Sequence, residues 1–215
     1  MMHKGKMKWT VVLPVAGLGL AYLLLLGYLL LGNLLGLRSA ATAASPAPTP
    51  EPVDLWDAYE QARAAARAQA QDAQLVSAST QWQTVSKGAL SHGARNWTFV
   101  FYSPGDSRSL DVVVNAGVAR VASQTQAWVV PSVLPESAWQ TGPSDVLLAF
   151  LACGGRTFLD EHPHAAVDLH LARDRDGGPT WTVVALDVGD RSLLSMMVDA
   201  GTGQVLSVDS PETTD

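Results

Sequence analysis

The alternation of apolar and polar residues is clearest near the C-terminal end, where Trp181 to Val208 reads WTVVALDVGDRSLLSMMVDAGTGQVLSV. Two β-rich runs flank Asp190-Arg191 and a third follows Asp199-Ala-Gly-Thr-Gly203, which predicts a three-stranded antiparallel meander. The stretch from Trp97 to Val121 aligns with Trp181 to Val205 without a gap. Roughly ten of about 25 positions are identical, among them Trp-Thr at the start, Gly105-Asp106 against Gly189-Asp190, and Ala116-Gly117 against Ala200-Gly201. Two copies of one unit is the economical reading.

Upstream of each copy the pattern changes period. Asp54 to about Ala73 predicts a helix capped by Asp54, with Leu55, Tyr59, Ala62 and Ala66 on one thin apolar face. Strands are expected at Leu75 to Val85, Trp97 to Tyr102, Ser109 to Val114 and Val118 to Ser123. Val130 to Pro143, with three prolines and one Gly, reads as a connection. Ser144 then caps a second helix that runs to Cys153, where Gly154-Gly155 stops or loosens it. Strands follow at Ala166 to Leu171, Trp181 to Leu186, Leu193 to Val198 and Gln204 to Val208. The fold class expected is α+β: two tandem repeats, 54–129 and 144–210, each one helix on a four-stranded antiparallel sheet, joined by 130–143 and followed by a tail, 211–215. Small units bury a low fraction of their surface, so the two should pack together or share a sheet.

Ahead of the repeats, residues 9–37 carry no charge and are long enough to cross a hydrocarbon layer as a helix. Lys4, Lys6 and Lys8 precede this run and the single Arg38 follows it, so residues 1–8 are expected in the cytoplasm and the rest outside. The competing reading is a cleaved signal peptide with Ala41-Thr42-Ala43 at the cleavage site, although its apolar core would be unusually long. Residues 38–53 are Ala-, Pro-, Ser- and Thr-rich and read as a tether. Gly32 and Gly36 form a GxxxG pair, a weak signal because Gly is common in spans.

Charge narrows the partners. Eleven cations against twenty acidic residues follow the apolar run, a net −9, which excludes the basic surface that nucleic acid demands and disfavours docking on anionic lipid. Cys153 is the only cysteine, so no intrachain disulfide can form, and its apolar surroundings predict an inert buried thiol.

The order of a helix and strands ending in Trp181-Thr-Val183, then Val198-Asp199-Ala-Gly-Thr202-Gly203-Gln-Val205-Leu206, resembles the PepSY family over roughly residues 54–210. The first copy departs from the pattern, since Asn115-Ala-Gly117-Val118-Ala119 lacks the Asp, the Thr and the second Gly. The whole arrangement also resembles small membrane-anchored regulators of cell-wall elongation in Gram-positive bacteria. The family includes propeptides of thermolysin-like metallopeptidases. Both resemblances imply a binding module without chemistry or cofactor, acting on an envelope protein such as a cell-wall synthase or a peptidase.

Asp199, Thr202 and Gly203 are candidate contact residues, but they also have a structural explanation: Asp199 accepts amides two residues on, and Gly203 supplies positive φ. The second helix reads VLLAFLAC from Val146 to Cys153, apolar on every face. If Val146, Phe150 and Cys153 cover the sheet, Leu147, Leu148 and Leu151 need another cover: the first unit, the connection, a second copy in a homodimer, or a partner. Asp160-Glu161-His162-Pro163-His164 is the one run with metal-ligand residue types; its spacing fits no standard zinc pattern, and Pro163 predicts a solvated loop. A metal-dependent hydrolase using His162 and His164 is the remote alternative. Asp174-Arg-Asp176-Gly-Gly178 lacks the further ligands of a calcium loop and reads as a hairpin turn.

Overall fold

The computed structural model describes residues 53–83, 85, 90 and 93–210. The span expected at residues 9–37, the cytoplasmic end, most of the tether and the tail lie outside them. Among the described residues no helix is long and apolar enough to cross a membrane.

Helix α1 is Leu55–Gln69, and Asp54 caps it by accepting the Trp56 amide at 2.8 Å. Its buried residues are Leu55, Ala58, Tyr59, Ala62 and Ala66, spaced three and four apart along one stripe. The helix ends four residues before Ala73 because Ala70 turns extended, and the chain enters β1 (Gln74–Trp82). β2 (Asn96–Ser103), β3 (Arg108–Asn115) and β4 (Val118–Gln126) follow as antiparallel neighbours.

After the connection and its short 3-10 turn, Glu136–Ala138, the second helical stretch is broken in two. α2 is Pro143–Phe150, a π-turn spans Leu151–Gly155, and α3 is Arg156–Glu161. One expectation fails here. Gly142, not Ser144, occupies the N-cap, with Pro143 in the first turn, where its missing N–H costs nothing. The glycine pair breaks the helix, as expected, with non-helical backbone at Cys153 and Gly154, and a new helix starts at Arg156. Gly154 takes φ +107, and a Cβ at Gly155 would collide with the Phe150 ring and carbonyl, so only glycine fits against that aromatic. The residues Asp160 and Glu161 expected on a loop therefore close α3.

β5 (Ala166–Arg173), β6 (Pro179–Asp187), β7 (Ser192–Asp199) and β8 (Val205–Asp209) complete the chain. Instead of two four-stranded sheets there is one eight-stranded antiparallel sheet, ordered β4-β3-β2-β1-β5-β6-β7-β8. The seam is β1 against β5, from Ala78 opposite Leu171 to Trp82 opposite Val167. Sharing a sheet removes two edges that would otherwise expose unpaired backbone.

One continuous core lies under the helices. Phe99, Phe101 and Val112 from the first half join Leu169, Trp181, Val183 and Met196 from the second in a single cluster with the α1 and α2 stripes. Trp97 and Trp181 both point into it, at 2% and 0% exposure. Each donates its indole N–H to a carbonyl two residues ahead of a helix, Trp97 to Val53 at 3.2 Å and Trp181 to Thr141 at 2.9 Å. Ser107 and Arg191, at matching places in the β2–β3 and β6–β7 turns, both take positive φ.

Candidate functional site

The β7–β8 turn is built around one carboxylate. Asp199 Oδ1 accepts the Gly201 amide at 2.9 Å, the Thr202 amide at 2.7 Å and the Thr202 hydroxyl at 2.9 Å, while Gly203 sits at φ +76. The Thr202 amide and then its hydroxyl favour the ionised form and hold Asp199 below the usual carboxylate range. Asp199, Thr202 and Gly203 are thus brought together, and their side-chain bonds are spent on the turn itself. A Cβ at Gly203 would press on Thr141, and one at Gly201 on the Ala138 carbonyl. The turn is therefore packed against the connection, whose Gln140 and Thr141 amides both donate to the Ala200 carbonyl.

That connection is a strap along one end of the sheet. Leu134 donates its amide to the Leu75 carbonyl at 2.7 Å, and Arg173 Nε donates to the Val133 carbonyl at 2.7 Å. Glu136 accepts from the Tyr59 hydroxyl at 2.8 Å and from Arg63 at 2.6 Å. Arg63 and then Tyr59 lower the Glu136 pKa; burial, then the Glu136 bond, raises that of Tyr59. Trp139 is fully buried, stacked on Trp56 at 4.4 Å and in a T-shaped contact with Tyr59 at 5.4 Å. Its indole N–H has no partner among the described residues.

With the helices on one face, the other face of the sheet has no described element upon it. Strand register lines up one residue from each strand across it: Arg120, Val113, Thr98, Ser79, His170, Thr182, Met197 and Ser207. A second row runs Gln81, Asp168, Val184, Ser195 and Asp209. Small hydroxyl and aliphatic side chains dominate these rows, with Arg120 at the β4 edge the one long charged side chain among them. His170 stands at its centre, where desolvation by the surrounding sheet lowers its pKa.

The leucines of α2 divide differently from the expectation. Val146, Leu147 and Phe150 are buried, Leu151 is half-buried, and only Leu148 stands out, at 63% exposure. Leu147 lines a cavity with Trp82 and Trp97, so the first half of the sheet supplies its cover. Cys153 is exposed, not buried, because the π-turn swings it off the sheet-facing stripe.

The Asp160 to His164 run also resolves in space. His162 caps the C-terminus of α3 and meets the β6–β7 turn, with Nδ1 3.3 Å from Asp190 Oδ2 and 3.8 Å from Asp187 Oδ2. Asp187 and Asp190 escaped the sequence reading because they lie about 25 residues downstream on another element; their only sequence signal was the turn itself. His164 is exposed and is not among the three residues that converge. At the β5–β6 hairpin, Asp174 accepts the Gly178 amide at 2.8 Å and Gly177 takes φ +86, a turn and not a calcium loop.

Among solved structures, the fold is similar to a provisionally described lipoprotein from Clostridium difficile 630, with a TM-score of 0.47 and 14% identity, over 77% of this chain and 96% of that one. No curated protein matches the chain. Residues 156–209, from α3 through β8, match the family described as "Peptidase propeptide and YPEB domain", so this part of the protein is PepSY-like.

Proposed function

We propose that the protein is an extracytoplasmic binding module which restrains or regulates another envelope protein through the uncovered face of its sheet. The observation that carries this reading is the match of residues 156–209 to a family described by its peptidase propeptides. Propeptide-type restraint needs a rigid complementary surface and no reacting groups. The strap-braced sheet supplies such a surface, and preorganisation spares the ordering cost on binding. That description favours a peptidase as partner over the cell-wall synthase that the overall architecture suggested. The uncharged run at residues 9–37 is read as the anchor and residues 38–53 as the tether. We also read the two halves as copies of one unit. The matching indole bonds of Trp97 and Trp181, the matching left-handed turns, and the repeated order of helix then four strands support that reading.

The test is site-specific photocrosslinking in the native membrane, with the probe at Thr182 on the open face or at Glu60 on the outer side of α1. Crosslinks to a peptidase or another envelope protein from Thr182 alone are expected. Crosslinks from Glu60 alone would move the site to the helical face and defeat the proposal. A synthase captured from Thr182 would retain the surface and change the partner.

A further inference from the structure

The junction between α3 and the β6–β7 turn holds an arrangement that the binding reading does not use. His162 comes from the end of the helix, Asp187 from the end of β6 and Asp190 from the turn. One donor atom from each lies within 4.8 Å of the others. The Asp187 side chain is only 9% exposed, and its two oxygens have different employment. Oδ1 accepts the Gly189 amide at 2.9 Å and the Asp190 amide at 3.3 Å, which fixes the carboxylate. Oδ2 is left without a hydrogen-bond donor among the described residues and points toward His162, 3.8 Å away.

His162 Nδ1 and Asp190 Oδ2 are within hydrogen-bond reach at 3.3 Å, and both separations are longer than the about 2.7–2.9 Å of a tight charge-assisted bond. They suit donors that surround an ion. Tetrahedral ligands held about 2.0–2.2 Å from a zinc ion stand about 3.4 Å apart; the two separations from His162 are 3.3 and 3.8 Å, and all three donor atoms lie within 4.8 Å of one another. Charge points the same way. Among the described residues the only ion-pair partner of either carboxylate is His162, so two negative charges face one imidazole. A buried carboxylate calls for a compensating cation, and a divalent ion with a neutral imidazole balances the set. Phe158 packs 4.6 Å from the His162 ring and restricts its orientation.

We propose that His162 Nδ1, Asp187 Oδ2 and Asp190 Oδ2 bind a divalent cation of the zinc class, which clamps the end of α3 to the β6–β7 turn. Three protein donors leave a fourth position for water or for a donor from a bound protein. The site is on the helical side of the molecule and is independent of the open-face reading.

The experiment is titration of the purified, chelator-treated full-length chain with Zn2+ by calorimetry, and with Co2+ by visible absorption. One equivalent of Zn2+ per chain, tetrahedral Co2+ bands and a raised thermal midpoint with Zn2+ are expected. Asp190→Asn leaves the fold intact because that side chain is 67% exposed, and His162→Gln keeps a polar side chain at the helix end. Each should weaken Zn2+ binding by more than about a hundredfold, beyond what loss of an outer-sphere partner causes, while His164→Gln should bind as the parent does. Absence of stoichiometric binding overturns the proposal. So does binding that survives both Asp190→Asn and His162→Gln, or that His164→Gln abolishes.

Discussion

At the scale of single residues, two positions carry more than their neighbours. Asp199 is ionised at a lower pH in the folded chain than in the unfolded one, where an Asp titrates near about 3.9. A depressed folded pKa contributes stability that is fully present above the unfolded value and is lost as pH falls through the folded one. Glu136 and Asp72 shift in the same direction, Glu136 chiefly through Arg63 and Asp72 chiefly through the Ser103 hydroxyl. The urea midpoint should therefore drop as pH is lowered below about 4, and Asp199→Asn should flatten part of that acid limb. Equal slopes in parent and variant would mean that the turn carboxylate is not linked to folding. Trp139 gives a second prediction. Its ring fills the core between α1 and the sheet, so Trp139→Ala should cost about 3–5 kcal/mol in denaturant unfolding. Trp139→Phe should cost far less, because it also removes the buried N–H that has no partner among the described residues. A Phe variant as unstable as the Ala variant would show that this N–H is satisfied in solution.

At the scale of elements, α2 shows how an apolar segment is partitioned by the turn that follows it. A straight helix through Cys153 would have put Cys153 on the stripe of Val146 and Phe150. The π-turn, required by Gly155 lying against Phe150, releases Cys153 to solvent and leaves Leu147 facing Trp82 and Trp97. Leu147→Ala should accordingly cost about 2–5 kcal/mol, whereas Leu148→Glu should change stability by no more than about 0.5 kcal/mol. Chemical denaturation of the two variants decides it. Comparable losses would place both leucines inside. The strap is the other element with an energetic signature: Glu136→Gln exchanges a half-exposed ion pair with Arg63 for a neutral contact, worth about 0–1 kcal/mol.

At the scale of the whole molecule, the β1–β5 seam makes one cooperative body out of two helix-and-sheet halves. Neither half would bury enough surface to be secure alone. Unfolding followed by far-UV circular dichroism and by tryptophan fluorescence should trace one coincident transition, and Leu169→Ala at the seam should lower both traces together. Two separated transitions would show that the halves fold independently.

The sequence alone determined what depends on local pattern: the period-two strands, the α1 stripe of Leu55, Tyr59, Ala62 and Ala66, the caps and turns at Asp54, Asp174 and Asp199, and the inward tryptophans at positions 97 and 181. Each follows from side-chain alternation or from a bond between residues a few positions apart, and such signals survive in a string of letters. Tertiary structure alone decided whether eight strands make one sheet or two, since β1 and β5 pair across about ninety residues of chain. It also decided how the chain continues past the break in the second helix, which hangs on contact between Gly155 and Phe150, and the cover over Leu147. The meeting of His162 with Asp187 and Asp190, and the open face that eight strands present together, were settled the same way. Those features arise from which surfaces come to lie opposite one another, and packing fixes that only after the local elements have formed.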